Sequence, residues 1–195
     1  MRKLNSWPVD VWTVSLLQQA PTHLSPDEEA RAGRLKFEDD RVRWTRARSA
    51  LRTILSRYVE TSPGQICFSC GKHGKPAVDP PTGMEFNLSH AGEWAMIAVT
   101  QGMPVGIDIE RIRANVDMRP LLKRLGESDL PDTTEALYQR WTEREAKSKA
   151  TGGALFDTPG ADLFTAALNA PEGYAATLAL QGCEPEIRYC GDGRR

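Results

Sequence analysis

The sequence of 195 residues has no long apolar run, and this absence excludes a membrane-spanning protein class. No hydrophobic stretch approaches the roughly 18 residues that a transmembrane helix needs. The first residues also lack the apolar block of a signal peptide. We therefore expect a soluble, cytoplasmic protein that has no membrane partner.

An excess of one charge is also missing, because 25 Lys and Arg residues face 26 Asp and Glu residues. A near-neutral chain produces no global field that would recruit nucleic acid or a membrane surface, so any recognition depends on local patches. An arginine-rich segment at 40–58 leaves a nucleic-acid-binding module open as an alternative. Its apolar stripe argues against that alternative, and we expect no nucleic-acid partner.

Cysteine is scarce as well. Four residues, Cys67, Cys70, Cys183 and Cys190, are too few for a disulfide scaffold. The Cys67-x-x-Cys70 pair, followed by His73, can begin a zinc site. The other two cysteines, with six residues between them, fit poorly as its second half. We interpret all four as ordinary reduced thiols.

Periodicity and capping residues predict strands mixed with long helices, which indicates an α+β fold. Three helices are expected, at 25–37, 40–58 and 133–150. Six strands are expected, at 9–16, 84–90, 94–100, 105–110, 174–180 and 186–190. We expect strand 105–110 to form a hairpin with strand 94–100, and we interpret most arginines of the second helix as a solvated face.

Two short segments of the sequence resemble each other. "WAMIAVTQG" at 94–102 and "YAATLALQG" at 174–182 share an aromatic start, the following alanine and a closing Gln-Gly. A long helix precedes each segment. This repeat favours two halves of one duplicated unit, with a site at their joint.

The stretch "GIDIE" places two carboxylates in a short, otherwise apolar strand. Because side chains alternate along a strand, Gly106, Asp108 and Glu110 share one face, and the carboxylates lie roughly 6–7 Å apart. Like charges at this spacing repel each other unless a cation or hydrogen-bond donors lie between them. Either Mg²⁺ fills that role, or the carboxylates form the polar face of an edge strand and pair with nearby arginines.

The helix at 133–150 has an inward face that begins apolar and becomes charged. Leu137 and Trp141 mark this face, and Glu145, Ser148 and Lys149 follow on the same side. A charged cluster where burial is expected is typical of a functional site. The alternative is a surface ion pair between Glu145 and Lys149.

Several basic and polar groups fit the binding of anionic oxygens. They are Lys75, Ser89 with His90, and Arg43 or Arg46. A Ser/His hydrolase is disfavoured, because Ser89 and His90 point to opposite faces of their strand and no GxSxG motif is present.

The motifs "GKP", "FNLSH", "VGIDIE" and "WTEREAKSKATG" resemble, in this order, the 4'-phosphopantetheinyl transferases of the surfactin-synthetase-activating (Sfp-like) type. The pairing of Asp-x-Glu with Trp-x-x-(Lys/Arg)-Glu-Ala-x-x-Lys is the specific part of this resemblance. It implies a pseudo-twofold α+β fold in which each lobe is a small antiparallel sheet packed on a long helix. We expect an N-terminal lobe at 1–104, a C-terminal lobe at 105–195, a coenzyme A cleft between them and a partly disordered tail at 186–195.

The resemblance also implies the chemistry. The implied reaction transfers the phosphopantetheine arm of coenzyme A to a serine of an apo acyl or peptidyl carrier protein and releases 3',5'-ADP. By this resemblance Mg²⁺ is held by Asp108, Glu110 and Glu145, with Glu145 as general base and Lys149 as the group assisting the leaving phosphate. The coenzyme-binding residues would be Lys75, Ser89, His90, Arg43, Arg31 and Lys149. Internal duplication favours a monomer.

Two features depart from the family pattern. Arg144 replaces a lysine that often precedes the helix glutamate, and an arginine does not donate protons. The segment between Gly153 and Gly173 is short for a second lobe. A Mg²⁺-dependent phosphohydrolase that uses the same carboxylates on a nucleotide or coenzyme pyrophosphate is the alternative function. We expect residues 112–130 to dock the carrier protein.

Overall fold

A computed structural model describes residues 8–70, 75–153 and 163–191, which form an α+β fold. The helices are α1 (Pro26–Gly33), α2 (Glu38–Val59), α3 (Arg119–Arg124) and α4 (Thr134–Thr151). The strands are β1 (Val9–Ser15), β2 (Cys67–Cys70), β3 (Pro76–Asp79), β4 (Met84–Ala91), β5 (Trp94–Gln101), β6 (Val105–Arg111), β7 (Leu163–Ala167), β8 (Tyr174–Gln181) and β9 (Ile187–Cys190). In the described part of the chain, no helix is long and apolar enough to cross a bilayer.

The strands form two sheets and a small ribbon. The first sheet has the order β4-β5-β1-β9, the second sheet has the order β6-β8-β7, and β2 pairs with β3 in the ribbon. The two segments that resemble each other in sequence, β5 and β8, are each flanked by two antiparallel partners. Each sheet therefore has one of the two similar segments at the centre of an antiparallel trio.

The two sheets pack face to face around the main apolar core. This core joins Val9, Val11, Met96 and Ala98 of the first sheet to Val105, Ile107, Ile109, Ala176, Leu178 and Leu180 of the second. Alternate residues of β5, Ile97 and Val99, point the other way and pack with Leu51, Ile54 and Leu55 of α2. On the far side, Ala179 of β8 packs with Ala146 and Ala150 of α4. The layers therefore run α2, first sheet, second sheet, α4, as expected from one long helix for each sheet.

Helix α4 lies unusually close to β6, and Gly106 permits this approach. A Cβ atom at Gly106 would lie 2.0 Å from the backbone oxygen of Ala146 and 2.5 Å from the backbone nitrogen of Ala150. These are backbone atoms, so they cannot move aside without displacing the helix. The hydroxyl of Thr133 caps the start of α4, and Gly152, with φ 65°, ends it in a left-handed conformation.

The expectation of a solvated arginine face on α2 was wrong for Arg48 and Arg52. Arg52 is 1% exposed, and its Nε donates to Glu28 Oε2 at 2.7 Å. Its Nη1 also donates to the carbonyls of Pro63 and Ile66. Arg48 donates to the other oxygen of Glu28. The buried carboxylate of α1 holds both guanidinium groups inside, where a charge requires a partner.

The expected hairpin of strand 94–100 with strand 105–110 was also wrong. Strand β5 already pairs with β4 on one side and with β1 on the other, so neither of its edges is available to β6. Strand β6 passes to the second sheet instead and pairs with β8. Helix α1 ends at Gly33, earlier than expected, because Phe37 is already extended as the residue that precedes α2.

The end of the described chain returns to the first sheet. Strand β9, which begins the tail that we expected to be partly disordered, lies parallel to β1 with Val9 opposite Ile187. Residues 192–195 lie outside the described residues, as do residues 154–162 of the short segment after Gly153. The lobe boundary at 104 and 105 stays a prediction, and β9 crosses it.

Candidate active site at the joint of the two sheets

Asp108 lies at the centre of a buried polar cluster formed by three elements. It is 3% exposed on β6, and its Oδ1 accepts hydrogen bonds from Ser89 Oγ of β4 at 2.8 Å and from Lys149 Nζ of α4 at 2.5 Å. Burial raises the pKa of Asp108, and the ammonium group of Lys149 opposes that rise. The side chains of Asp108, Ser89 and Lys149 therefore meet where the two sheets join.

Glu110 and Glu145 belong to the same electrostatic cluster. Burial, together with the charge of Asp108, raises the pKa of each of these carboxyl groups. Glu110 also accepts a hydrogen bond from Trp141 Nε1 at 3.4 Å. Lys149 pairs with Asp108, which disfavours the alternative of a surface pair with Glu145.

This cluster fits a divalent cation by its donor set. Asp108 Oδ2 is buried and has no hydrogen-bond partner, and three carboxyl groups with raised pKa values are typical of a site that a cation would neutralise. Among the described residues, however, no three His, Cys, Asp or Glu side chains converge as a complete metal site. Bringing them together around an ion requires side-chain movement, above all of Lys149.

A large cavity lies beside this cluster, between α1, α2, the β2–β3 ribbon and β4. Its volume is about 1050 Å³. Its basic lining residues are Arg31, Arg34, Arg48, Arg52 and His90, and its aromatic lining residues are Trp44, Phe68 and Phe86. Three of these bases lie over aromatic rings, Arg31 over Trp44 and both Arg48 and Arg52 over Phe68. The size and the lining suit an anionic ligand with a flat ring system.

The coenzyme-binding residues expected from the resemblance lie in four places. Arg31 and His90 line the cavity, and Ser89 and Lys149 belong to the carboxylate cluster. Lys75 instead donates to Glu85 Oε2 at 3.3 Å and to the carbonyl of Val105 at 3.1 Å. Arg43 is outside the cavity lining and forms ion pairs with Asp39 and Asp40.

His90 is electrostatically connected to both regions. Desolvation lowers its pKa, and so do the positive charges of Lys149 and Arg43, whereas Asp40 raises it. A neutral imidazole at this position favours hydrogen bonding to a ligand over charge pairing.

Sequence reasoning missed Glu28, Arg48 and Arg52 as components of the cavity wall. Their signal was present in the sequence, since Arg48 and Arg52 are one helical turn apart and Glu28 follows Ser25 at the spacing of a capping box. Asn87, which also lines the cavity, was missed without such a signal. Cys67, Cys70, Cys183 and Cys190 are free thiols, and His73 lies outside the described residues.

The site can be compared with known proteins. Residues 11–102 match the family model described as "4'-phosphopantetheinyl transferase, N-terminal". The chain is 36% identical to the 4'-phosphopantetheinyl transferase HetI of Nostoc sp. over 165 residues, which cover 75% of this chain and 70% of HetI. It is 31% identical over 182 residues to AcpT of Escherichia coli O157:H7, with 88% of this chain and 87% of AcpT covered.

A further relative is the 4'-phosphopantetheinyl transferase Sfp of Bacillus subtilis. It is 28% identical over 139 residues, which cover 68% of this chain and 62% of Sfp. The order of the motifs, the paired sheets with their long helices, and these relatives agree. The chain belongs to the 4'-phosphopantetheinyl transferase family.

Proposed function

We propose that this protein transfers the 4'-phosphopantetheine arm of coenzyme A to a serine hydroxyl of an apo acyl or peptidyl carrier protein and releases 3',5'-ADP. The observation that supports this most is the position of Asp108. This residue of the second sheet bonds to Ser89 and Lys149, beside a cavity of about 1050 Å³ that is lined by arginine side chains. A coenzyme with a phosphorylated nucleotide end and a pyrophosphate centre matches these two neighbouring regions.

The cavity is the proposed site of the nucleotide end. Arg31 and His90 are placed to bind phosphate oxygens there, and Trp44 and Phe68 offer apolar surface for the base. Arg43 becomes a phosphate ligand only if it leaves Asp39 and Asp40, so we assign it a lesser part. Lys75 reaches phosphate only by giving up its bond to Glu85.

Asp108, Glu110 and Glu145 are the proposed Mg²⁺ ligands. When bound, Mg²⁺ would neutralise the pyrophosphate and polarise the phosphorus that is attacked. The buried, unpartnered oxygen of Asp108 supports this assignment.

Glu145 and Lys149 are the proposed catalytic residues. In the metal-free chain burial raises the pKa of Glu145, and we assign to this carboxylate the acceptance of the proton of the incoming serine. Lys149 carries its ammonium group one turn further along α4 and is only 28% exposed in its side chain. We assign it the stabilisation of the departing phosphate. Arg144 is held by Glu127 at 3.3 Å and takes no part in proton transfer in this scheme.

The test is intact-mass spectrometry of an apo carrier protein incubated with this protein, coenzyme A and Mg²⁺. We expect a gain of one phosphopantetheine arm that disappears with a chelator and in Glu145→Gln. Glu143→Gln is the matched control, because Glu143 lies on the same helix and pairs with Lys147. No gain with fatty-acid, polyketide or peptide-type carriers, together with cleavage of coenzyme A alone, would instead establish the phosphohydrolase.

A further inference from the structure

Strand β4 carries a polar stripe that faces β6. Glu85, Asn87 and Ser89 alternate along β4, whereas Met84 and Phe86 on its other face are buried in the core with α2. Strand β4 is an edge strand of the first sheet, and β6 is an edge strand of the second. The stripe therefore lies along the joint between the two sheets.

Each residue of the stripe makes a link to β6. Glu85 accepts from Lys75 Nζ, which also donates to the carbonyl of Val105 at 3.1 Å. The next link is direct, because Asn87 Oδ1 accepts from the backbone N–H of Ile107 at 2.9 Å. Ser89 completes the series with its bond to Asp108.

These side chains occupy the place that a neighbouring strand would take. The backbone groups of Val105 and Ile107 point to the same side of β6, away from β8, because alternate residues of a strand direct them alike. Within the described ranges, no strand pairing joins β4 to β6. Side chains of Lys75 and Asn87 thus satisfy the edge of β6 and set its register against β4.

We propose that Asn87 is a positioning residue for the transfer reaction. It lines the cavity, and the residue that it holds, Ile107, directly precedes Asp108 in the chain. The amide of Asn87 therefore fixes the distance between the cavity of the first sheet and the carboxylates of the second. This inference rests on the proposed function, since it assumes that one ligand spans both regions.

A positioning role predicts a specific kinetic pattern for Asn87→Leu. Leucine has a similar size but cannot accept the N–H of Ile107. Coenzyme A keeps its contacts in the cavity, whereas the reacting centre shifts against the carboxylates. Because small misplacements of a reacting centre reduce the rate strongly, we expect kcat to fall about tenfold or more, while KM for coenzyme A changes less than about threefold.

The experiment compares three variants, each measured below its unfolding temperature. Asn87→Leu removes the acceptor, Asn87→Asp keeps an acceptor oxygen at the same position, and Asn169→Leu changes an exposed asparagine outside the joint. Hydrogen exchange of the Ile107 amide is read beside kcat and KM. We expect fast exchange and low kcat in Asn87→Leu, substantial rescue of both in Asn87→Asp, and no change in Asn169→Leu.

Two results would overturn the proposal. One is an unchanged kcat in Asn87→Leu, and the other is an equal loss in Asn87→Asp while the Ile107 amide stays protected. Failure of the proposed function looks different, because the wild-type protein itself would then transfer nothing. In that case the readout is the increase in the free energy of unfolding when Mg²⁺ is added. An equal increase in Asn87→Leu and in wild type would count against positioning.

Discussion

The two helix–sheet pairs share an antiparallel trio of strands but differ in how closely the helix approaches. Helix α4 touches β6 through Gly106, Ala146 and Ala150, so that its Lys149 reaches Asp108 directly. Helix α2 packs on the first sheet with large side chains and carries two inward arginines at the wall of a cavity of about 1050 Å³. The close pair presents the proposed catalytic groups, and the open pair provides space for a ligand.

The difference indicates how one duplicated architecture can support two tasks. Small residues let the helix approach the sheet closely and hold polar groups of the two elements within contact distance. Large residues with charged ends hold the helix away, and their charges need buried partners such as Glu28. Packing distance, rather than strand order, distinguishes the two halves.

The largest expected effect comes from breaking the close pair with Gly106→Ala. The new Cβ would lie 2.0 Å from a backbone oxygen of α4, so the helix must shift. We expect a loss of at least about 4 kcal/mol in the free energy of unfolding, because overpacking against backbone cannot relax locally. Denaturant titration measures it. Gly33→Ala, where nothing lies within 4 Å, is the control and should alter stability by no more than about 1 kcal/mol. Similar values for both variants would refute the close approach.

Next in size is Arg52→Met, which tests the open pair. The substitution keeps most of the side-chain volume but leaves Glu28 with only one guanidinium partner and the carbonyls of Pro63 and Ile66 without a donor. We expect a loss of about 3 kcal/mol in the free energy of unfolding. Arg41→Met, at an ion pair on the exposed side of α2, should match wild type in the same titration. Equal stability of Arg52→Met and wild type would show that the buried cluster is dispensable.

The contributions of Glu28, in the open pair, and Glu145, in the close pair, to the free energy of unfolding should depend on pH in opposite directions. The pKa of Glu28 is lowered despite burial, because Ser25, Arg52 and Arg48 bind its charged form. Its contribution to stability is present above the ordinary value of 4.5 and is lost as pH falls through the folded pKa. The pKa of Glu145 is raised, so its contribution is largest in acid and is lost as pH rises through the folded pKa.

Unfolding titrations in the presence of a chelator, over roughly pH 3 to pH 8, measure this contrast, because carboxyl groups with such shifts titrate in that range. The stability of wild type relative to Glu28→Gln should increase with pH. Relative to Glu145→Gln it should decrease with pH. Slopes of the same sign would mean that the two carboxyl groups do not differ as described.

The smallest effect is expected for charge reversal in the predicted docking segment. Helix α3 packs Leu122 on α4, Lys123 is exposed, and Arg119 is half-buried and donates to Asp117 and to the carbonyl of Asp132. Changing Arg119 and Lys123 to Glu should raise KM for an acidic carrier protein about fivefold, because rim charges act mainly on association. The KM for coenzyme A should stay as in wild type. If every carrier reacts with unchanged kinetics, the docking segment lies elsewhere.

Sequence patterns predicted the parts of the fold that depend on local chemistry. Capping residues bounded α4, which begins after Thr133 and ends before Gly152, and the alternation of residues 106–110 placed Asp108 and Glu110 on one face, which the structure directs toward α4. The partner of β6 was not predictable in this way, because pairing depends on which edges other strands leave free. The inward arginines were missed for a similar reason, since their partner Glu28 lies on another helix and only tertiary contact reveals it.

The same distinction between local sequence pattern and tertiary contact applies to the candidate site. Motif order identified Asp108, Glu145 and Lys149 as one group, and the structure brings Asp108 and Lys149 into contact. Motif order could not show that Lys75 donates to Glu85 and to the carbonyl of Val105 on β6. Such contacts depend on the distance between two edge strands, which no residue pattern encodes. The assigned roles themselves stay predictions until they are tested.

Strand β9 has a consequence for how the protein is made. Its partner β1 is among the first described segments to leave the ribosome, yet the register that pairs Val9 with Ile187 requires nearly the whole described chain. Contacts so distant in sequence are slow to form, and until then the outer edge of β1 is open to other chains. During synthesis, the first sheet therefore cannot be completed until β9 has been made. A chaperone would contribute most during that interval.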